Sequence, residues 1–322
     1  LSHDAHVKLG AVIDDLVVDL IEAEAWAVET DRLPVQRLLI DERDPLLALL
    51  TEAGGLDQAR AVLKALSHED WRHLKFAAPI ERVMLHAPIL HPPSVRDFYA
   101  FEQHVRAVRA NRGLDMIPEW YEVAVFYFTN HHAIVGPHDP VKRPKASNAL
   151  DFELEIAAVI GKAGIDIPAS EADQYIAGYM VMNDWSARDL QMKEMKMNLG
   201  PAKGKDFATT LGPYLVTPDE LIERRVDRGN QGSVYDLELI GRVRGEETSH
   251  GNWKDIHFTF AQMIERASAD VWLYPGDVIG SGTVGTGCLL ELTKGQGPWL
   301  QPGDVVELEF ERLGVVRNQV MA

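Results

Sequence analysis

Apolar and polar positions alternate over the first six residues of "DFELEIAAVIG", residues 151–161, just before an apolar run. Phe152, Leu154 and Ile156 fall on one side of the alternation, and Asp151, Glu153 and Glu155 on the other. A period of two is the mark of a β-strand with one apolar and one polar face. Three carboxylates on one strand face repel each other at neutral pH. The face therefore needs full solvation, as at a sheet edge, or a cation. The local pattern leaves both readings open.

The same reading extends along the chain. "KLGAVIDDLVVDL", residues 8–20, predicts two short strands around an Asp-Asp turn. "DERDPLLALLTEAGG" and "LDQARAVLKALSHEDW" carry helical spacing, the first closed by Gly54 and Gly55. These elements make a small N-terminal α+β domain, residues 1–78. Pro92 and Pro93 in "HAPILHPPSVRDFYAF" block helix and suggest an extended linker into a larger domain, residues 79–322. "EQHVRAVRANRG" has helical spacing and ends at Gly113. Beyond Phe126 the pattern is mostly strand and turn. "EADQYIAGYMVMNDW" predicts a short helix running into a strand. "VYDLELIGRVRG", "GDVIGSGT", "CLLELTKG" and "DVVELEFERLG" are all strand-like. The expected class is α+β and β-rich.

Composition narrows the partners. The 322 residues include 32 Lys plus Arg against 49 Asp plus Glu, a formal charge of −17. That excess argues against nucleic acid and anionic membranes. An anionic small substrate remains compatible where a metal or local Lys and Arg reverse the field. The single Cys288 cannot form an intrachain disulfide and fits a reducing compartment. It has no His adjacent in the sequence that would favour it as a nucleophile. No apolar run approaches the ~20 residues that span a bilayer. "LSHDAHVKLG" has neither a basic nor an apolar leader region. A soluble, cytoplasmic protein is expected.

Candidate chemistry enters with four motifs. "GSGTVG", residues 280–285, matches G-x-G-x-x-G, but the following segment reads as a strand. No helix N-terminus would hold a pyrophosphate, so the glycines are read as allowing close backbone approach. "NDWSARDLQ" places Asp184 at a strand end. The plain alternative is a helix start, with Asp184 as N-cap and Asp189 paired to Arg188 or a lysine. "RDFYAFEQH" holds Asp97, Tyr99 and His104, and a lone His is more often structural than catalytic. The pair His131-His132 lacks zinc-site spacing, so zinc is not expected. Asp97, Glu153, Glu155 and Asp184 together form an oxygen-only set, which suits Mg²⁺, Ca²⁺ or Mn²⁺.

"DFELEIAAVIG", "GYMVMNDWSARDLQ", "KGKDFATTLGPYLVT" and "GDVIGSGTVGTG" occur in this order. In these motifs the chain resembles the fumarylacetoacetate hydrolase family, from about Val83 to the end and more weakly over the first 75 residues. The resemblance implies a fumarylacetoacetase-like mixed β-sheet roll, usually a homodimer, with a carboxylate-bound Mg²⁺ or Ca²⁺. It makes Glu153, Glu155 and Asp184 the core metal ligands and Asp97 a further one. It makes His104 the general base and Glu291 the acid that orients it. Lys205 and Gln191 would contact substrate and leaving carbanion, and Tyr99, Tyr127 and Thr283 the substrate. Two positions depart from the family pattern. Gly113 stands where an arginine is expected, although Arg112 one place earlier could serve. Met195 stands where a substrate tyrosine is expected.

The implied activity is metal-dependent hydrolysis of a C–C bond in a 1,3-diketo acid, fumarylacetoacetate or a related acylpyruvate, in aromatic-compound catabolism. The same metal-enolate chemistry serves a decarboxylase, hydratase or isomerase of a 2-oxo acid. A non-catalytic metal-binding protein is the rival from another class. Retention of both His104 and Glu291 favours hydrolysis, because decarboxylation needs no activated water.

Overall fold

A computed structural model describes residues 7–36, 38, 41, 43–66 and 71–322. It divides into two compact units, one running to Leu85 and including Ile89–His91, the other comprising His86–Pro88 and Pro92–Ala322.

In the first unit, strand Gly10–Ile13 pairs antiparallel with Leu16–Asp19. Asp14 turns the chain in the left-handed region at φ 54°. Asp19 ends the second strand and caps the helix Leu20–Glu29, its carboxylate accepting from the N–H groups of Ile21 and Glu22. The helices Pro45–Thr51 and Gly55–Leu66 follow, and Val18, Ala23, Leu49, Val62 and Leu66 share their core. Both helical segments agree with the sequence pattern, although Glu42 and residues 67–70 of those segments lie outside the described residues. Strand Ala77–Pro79 straddles the sequence boundary drawn after residue 78. Its pairing with Leu16–Val18 keeps it in this unit.

The second unit is built on a seven-stranded mixed sheet. Its order is Phe126–Phe128, Val95–Phe98, Val278–Gly280, Leu154–Ile160, Ile176–Asp184, Thr209–Val216, Ile134–Val135. A five-stranded sheet, Glu246–Asn252, Glu238–Val243, Val305–Phe310, Gly314–Met321 and Val141–Lys142, accompanies it. The strand-rich, mixed architecture with a curled sheet matches the expected fold class. Among the described residues, no helix is long and apolar enough to cross a membrane.

The sheet's middle strands, Leu154–Ile160 and Ile176–Asp184, are buried at every residue. Leu154, Ile156, Ala158, Tyr179 and Val181 join the main apolar core. By strand alternation Glu155 and Asp184 occupy the opposite face. This is an interior strand pair, so the solvated-edge reading of the acids does not hold.

Three sequence expectations need correction. The three alternating acids do not share one strand face. Asp151 belongs to a separate short pairing with Ser186, and regular strand begins only at Leu154. "CLLELTKG" is not a strand: Leu289–Leu292 forms a helical turn. The Asp151 carboxylate accepts from the N–H of Leu289 at 2.8 Å and of Leu290 at 2.9 Å, satisfying two open donors at the start of that turn. Asp184 is not a helix cap, since the helix Arg188–Met195 starts after Ala187.

Candidate active site

Asp97, Glu153, Glu155 and Asp184 converge from three strands and one loop position. Each offers a carboxylate oxygen within 4.8 Å of the others, and all four residues are buried. Strand register explains the convergence. Glu155 lies opposite Met182, two residues before Asp184. Asp97 lies opposite Gly280, which pairs on its other side with Ala157. The glycines of "GSGTVG" make room for the acid. A Cβ at Gly280 would sit 2.6 Å from Asp97 Oδ1, and Gly282, at φ +77°, donates its N–H to the same oxygen at 3.2 Å. The motif thus works by close backbone approach, and a helical turn as short as Leu289–Leu292 is no dinucleotide helix.

Two buried cations oppose the four acids. Lys205 Nζ donates to Glu153 Oε2 and, at 2.6 Å, to Asp184 Oδ2, which also accepts from the Tyr127 hydroxyl. Arg188 Nη2 donates to Glu153 Oε1 at 2.7 Å. Burial works against the Glu153 charge, but Lys205 and Arg188 outweigh it and hold the carboxyl below its ordinary range. Burial pushes Asp97 up to about 8, reinforced by the Asp184 charge. Burial pushes Glu155 well above its ordinary value, with Asp97 and Glu153 adding to the shift. Asp184 is raised by burial although Lys205 opposes the shift.

Glu155 Oε2 and Asp184 Oδ1 are buried without a hydrogen-bond partner. Unpaired buried carboxylate oxygens are costly, and an excess of such oxygens around one point fits a hard divalent cation. The donor set is all oxygen, as Mg²⁺, Ca²⁺ or Mn²⁺ prefers. A second group, His104, Glu153 and Cys288, shares Glu153. Burial pushes the Cys288 thiol well above its ordinary value.

Beside the acids stands a histidine–glutamate pair. His104 lies buried in the helix Glu102–Ala110, and its Nδ1 meets Glu291 Oε2 at 2.8 Å. The other Glu291 oxygen accepts from the Thr286 N–H at 2.8 Å, so the carboxylate is fixed at both ends. A carboxylate only accepts, which assigns the proton to Nδ1 and leaves the Nε2 lone pair free to act as a base. One His104 ring nitrogen lies within 4.8 Å of a Glu153 oxygen. The Tyr99 ring packs edge-on to the imidazole, with centroids 5.6 Å apart. Burial pushes the Tyr99 phenol up to about 12.

The remaining sequence candidates divide. Gln191 Oε1 accepts from Arg188 Nη1 at 3.0 Å, linking it to the site through that arginine. Thr283, a substrate position by resemblance, is buried and donates to Glu155 Oε1 at 3.3 Å. Arg112 is exposed at the end of the helix, near enough to Tyr99 for its charge to favour the phenolate. Sequence reasoning missed Arg188 and Asp151. Arg188 does not pair with Asp189. Its Nε donates to Asp151 Oδ2 at 2.8 Å, while Asp189 accepts from Ser147 Oγ and the Asn148 N–H. The available signal was a surplus of acids in strand-like segments with an arginine closely following. A cavity of about 260 Å³ opens beside Lys205 and Tyr127, with Thr129, Asn130 and Asp206 in its lining.

Residues 94–321 match the family described as fumarylacetoacetate (FAA) hydrolase C-terminal. The chain is 38% identical over 188 residues to a 2,4-didehydro-3-deoxy-L-rhamnonate hydrolase of Sphingomonas sp. (strain SKA58), covering 58% of this chain and 60% of that protein. It is 37% identical over 190 residues to a mitochondrial oxaloacetate tautomerase of Homo sapiens, covering 59% and 56%. The matched stretch thus spans less than two thirds of either relative. A fumarylacetoacetate hydrolase from psychrophilic Exiguobacterium antarcticum has the same fold with a TM-score of 0.70 and 25% identity, covering 99% of this chain and 97% of that one. This chain belongs to the fumarylacetoacetate hydrolase family, whose members include hydrolases, isomerases and tautomerases acting on oxo acids and generally bind a divalent metal.

Proposed function

We propose that this chain is a metal-dependent hydrolase that cleaves a C–C bond in a 1,3-diketo acid of the acylpyruvate class. The substrate is an anionic small molecule, of the kind that aromatic-compound breakdown produces. One observation carries the reading: a buried imidazole, its Nδ1 held by a doubly anchored glutamate, stands beside four convergent acids.

A divalent cation held by Asp97, Glu153, Glu155 and Asp184 would supply Lewis acidity to the dioxo unit and a sink for the departing electron pair. His104 Nε2 takes a proton from water. Glu291 keeps the ring in the required tautomer and stabilises the imidazolium that forms. The hydroxide attacks the acyl carbonyl carbon. The C–C bond then breaks, its electron pair passing to the enolate of pyruvate, whose charge Lys205 and Gln191 help to hold. The proton on His104 returns to the enolate carbon. The products are a carboxylic acid and pyruvate, with one water consumed.

A tautomerase is the second reading. It is favoured by the human relative, and by a base that could equally carry a proton between carbon and oxygen. Metal-loaded protein given an acylpyruvate, and in parallel enol oxaloacetate, separates the two. Hydrolysis predicts one pyruvate and one carboxylic acid per acylpyruvate consumed. Rapid interconversion of oxaloacetate tautomers with no cleavage of any acylpyruvate would assign the tautomerase instead.

A further inference from the structure

The cavity beside Lys205 is lined by two residues with unpartnered buried oxygens. Thr129 is 7% exposed, and its Oγ1 has no hydrogen-bond partner in the protein. Asp206 also lines the cavity, and its Oδ1 is likewise buried and unpartnered. The neighbouring polar groups are already occupied. Asn130 Nδ2 donates to the Asp206 carbonyl at 3.0 Å, and its Oδ1 accepts from the His132 N–H at 3.1 Å. Lys205, the one cation among the described lining residues, is committed to Glu153 and Asp184.

These facts bear on three kinds of tail. A carboxylate entering this cavity would meet no uncommitted cation and would face the free Asp206 oxygen. An ammonium would gain that oxygen. However, the Asp206 charge is already matched by Lys203, whose Nζ lies 2.9 Å from Oδ2, and Lys205 stands close by. An alkyl tail would leave both oxygens unpaired in a drier site, a penalty that grows on desolvation. A hydroxyl suits both, donating to Asp206 Oδ1 and exchanging a hydrogen bond with Thr129 Oγ1.

We infer that the cavity lined by Thr129 and Asp206 is a subsite for a short, neutral, hydroxylated acyl tail. It selects 2,4-dioxo acids with such a tail over those with a second carboxylate. The cavity is small against the roughly 300–1,000 Å³ of typical ligand pockets, which limits the tail to a few carbons. The inference rests on the hydrolase reading for its reaction, though not for its binding preference.

The test uses metal-loaded, full-length protein and three 2,4-dioxo acids of equal length, with hydroxylated, alkyl and carboxylate-ended acyl tails, plus an amino-tailed analogue. The hydroxylated compound should exceed the alkyl one in kcat/KM by about tenfold, with the carboxylate poorest, since a site built to bond a hydroxyl penalises its absence. Thr129→Val should collapse the hydroxyl-to-alkyl ratio toward one, and Thr129→Ser should restore it. Asp206→Ala should lower the same ratio. A preference for the carboxylate or amino tail, or a ratio unmoved by both Thr129→Val and Asp206→Ala, overturns the subsite. If no tail is cleaved, the hydrolase reading falls, and calorimetric binding of the same compounds decides the subsite alone. Tightest binding of the hydroxylated tail upholds it, and a flat or reversed order overturns it.

Discussion

Four buried carboxylates within 4.8 Å of one another are opposed by Lys205 and Arg188. Glu153 bonds both cations, so it is the acid on which the arrangement depends. Glu153→Ala should abolish divalent-cation binding measured by calorimetry, and an unchanged affinity would remove the metal assignment. His104 plays a different part. Its bonds run to Glu291 rather than into the oxygen cage. His104→Ala should keep cation affinity nearly intact and reduce turnover about 10²–10⁴-fold, the usual range for a lost acid–base group. Near-normal turnover would refute its role as base. Proton linkage gives a third expectation. The Asp97 carboxyl titrates near 8 in the fold against 3.8 ordinarily, so the folded, metal-free chain binds a proton that the unfolded chain releases. That contribution to stability is full below the ordinary value and is lost as pH rises through the folded one. In chelator, melting temperature should fall more steeply with pH, between about 5 and about 8, than it does for Asp97→Asn. Added Mg²⁺ should flatten that extra slope, because the cation takes the place of the proton. Equal slopes in chelator would show that Asp97 ionises normally.

At the scale of elements, Asp151 ties two parts of the site together. Its carboxylate accepts from Leu289 and Leu290 at the turn that carries Glu291, and pairs with Arg188, which holds Glu153. Removing it takes one of two carboxylate partners from a buried guanidinium and leaves the N–H groups of Phe152, Leu289 and Leu290 without their acceptor. Asp151→Ala should therefore cost about 3–5 kcal/mol in urea unfolding. A loss under about 1 kcal/mol would mean the pairing is dispensable. The glycine motif makes a comparable demand. Gly280→Ala places a methyl 2.6 Å from Asp97 Oδ1 and should weaken cation affinity. These same contacts explain what the sequence could and could not reveal. The strands around residues 154–160 and 176–184 were legible because their apolar alternation is local. The helical turn Leu289–Leu292 was not, because four residues carry no period and its first N–H groups are satisfied by a carboxylate 138 and 139 positions away. Asp151 looked like a third acid on the strand face of Glu153 and Glu155. Alternation assigns it to the face of Glu153, whereas the chain leaves regular strand at Phe152–Glu153, where the Glu153 N–H bonds the Asn183 side chain. The plain alternative paired Arg188 with its sequence neighbour Asp189, yet its carboxylate partners lie 35 and 37 residues back. The four acids, His104 and Glu291 were named by motif, and the structure brings them together, whereas Thr129 and Asp206 left no pattern to read.

For the whole molecule, residues 94–321 belong to a family whose members act on oxo acids, and the curled mixed sheet carries a carboxylate-rich centre. The formal charge of −17 makes local compensation necessary for an anionic substrate, and the buried Lys205 and Arg188 with a bound cation would supply it where the acids converge. Hydrolysis, tautomerisation and decarboxylation share that centre and differ in whether water enters the product. Turnover of an acylpyruvate in ¹⁸O-labelled water reads this difference. If His104 activates water for attack on the acyl carbonyl, one labelled oxygen appears in the carboxylic acid released from the acyl half. Consumption of substrate with no labelled acid, or CO₂ release from oxaloacetate as the main activity, would contradict hydrolytic cleavage.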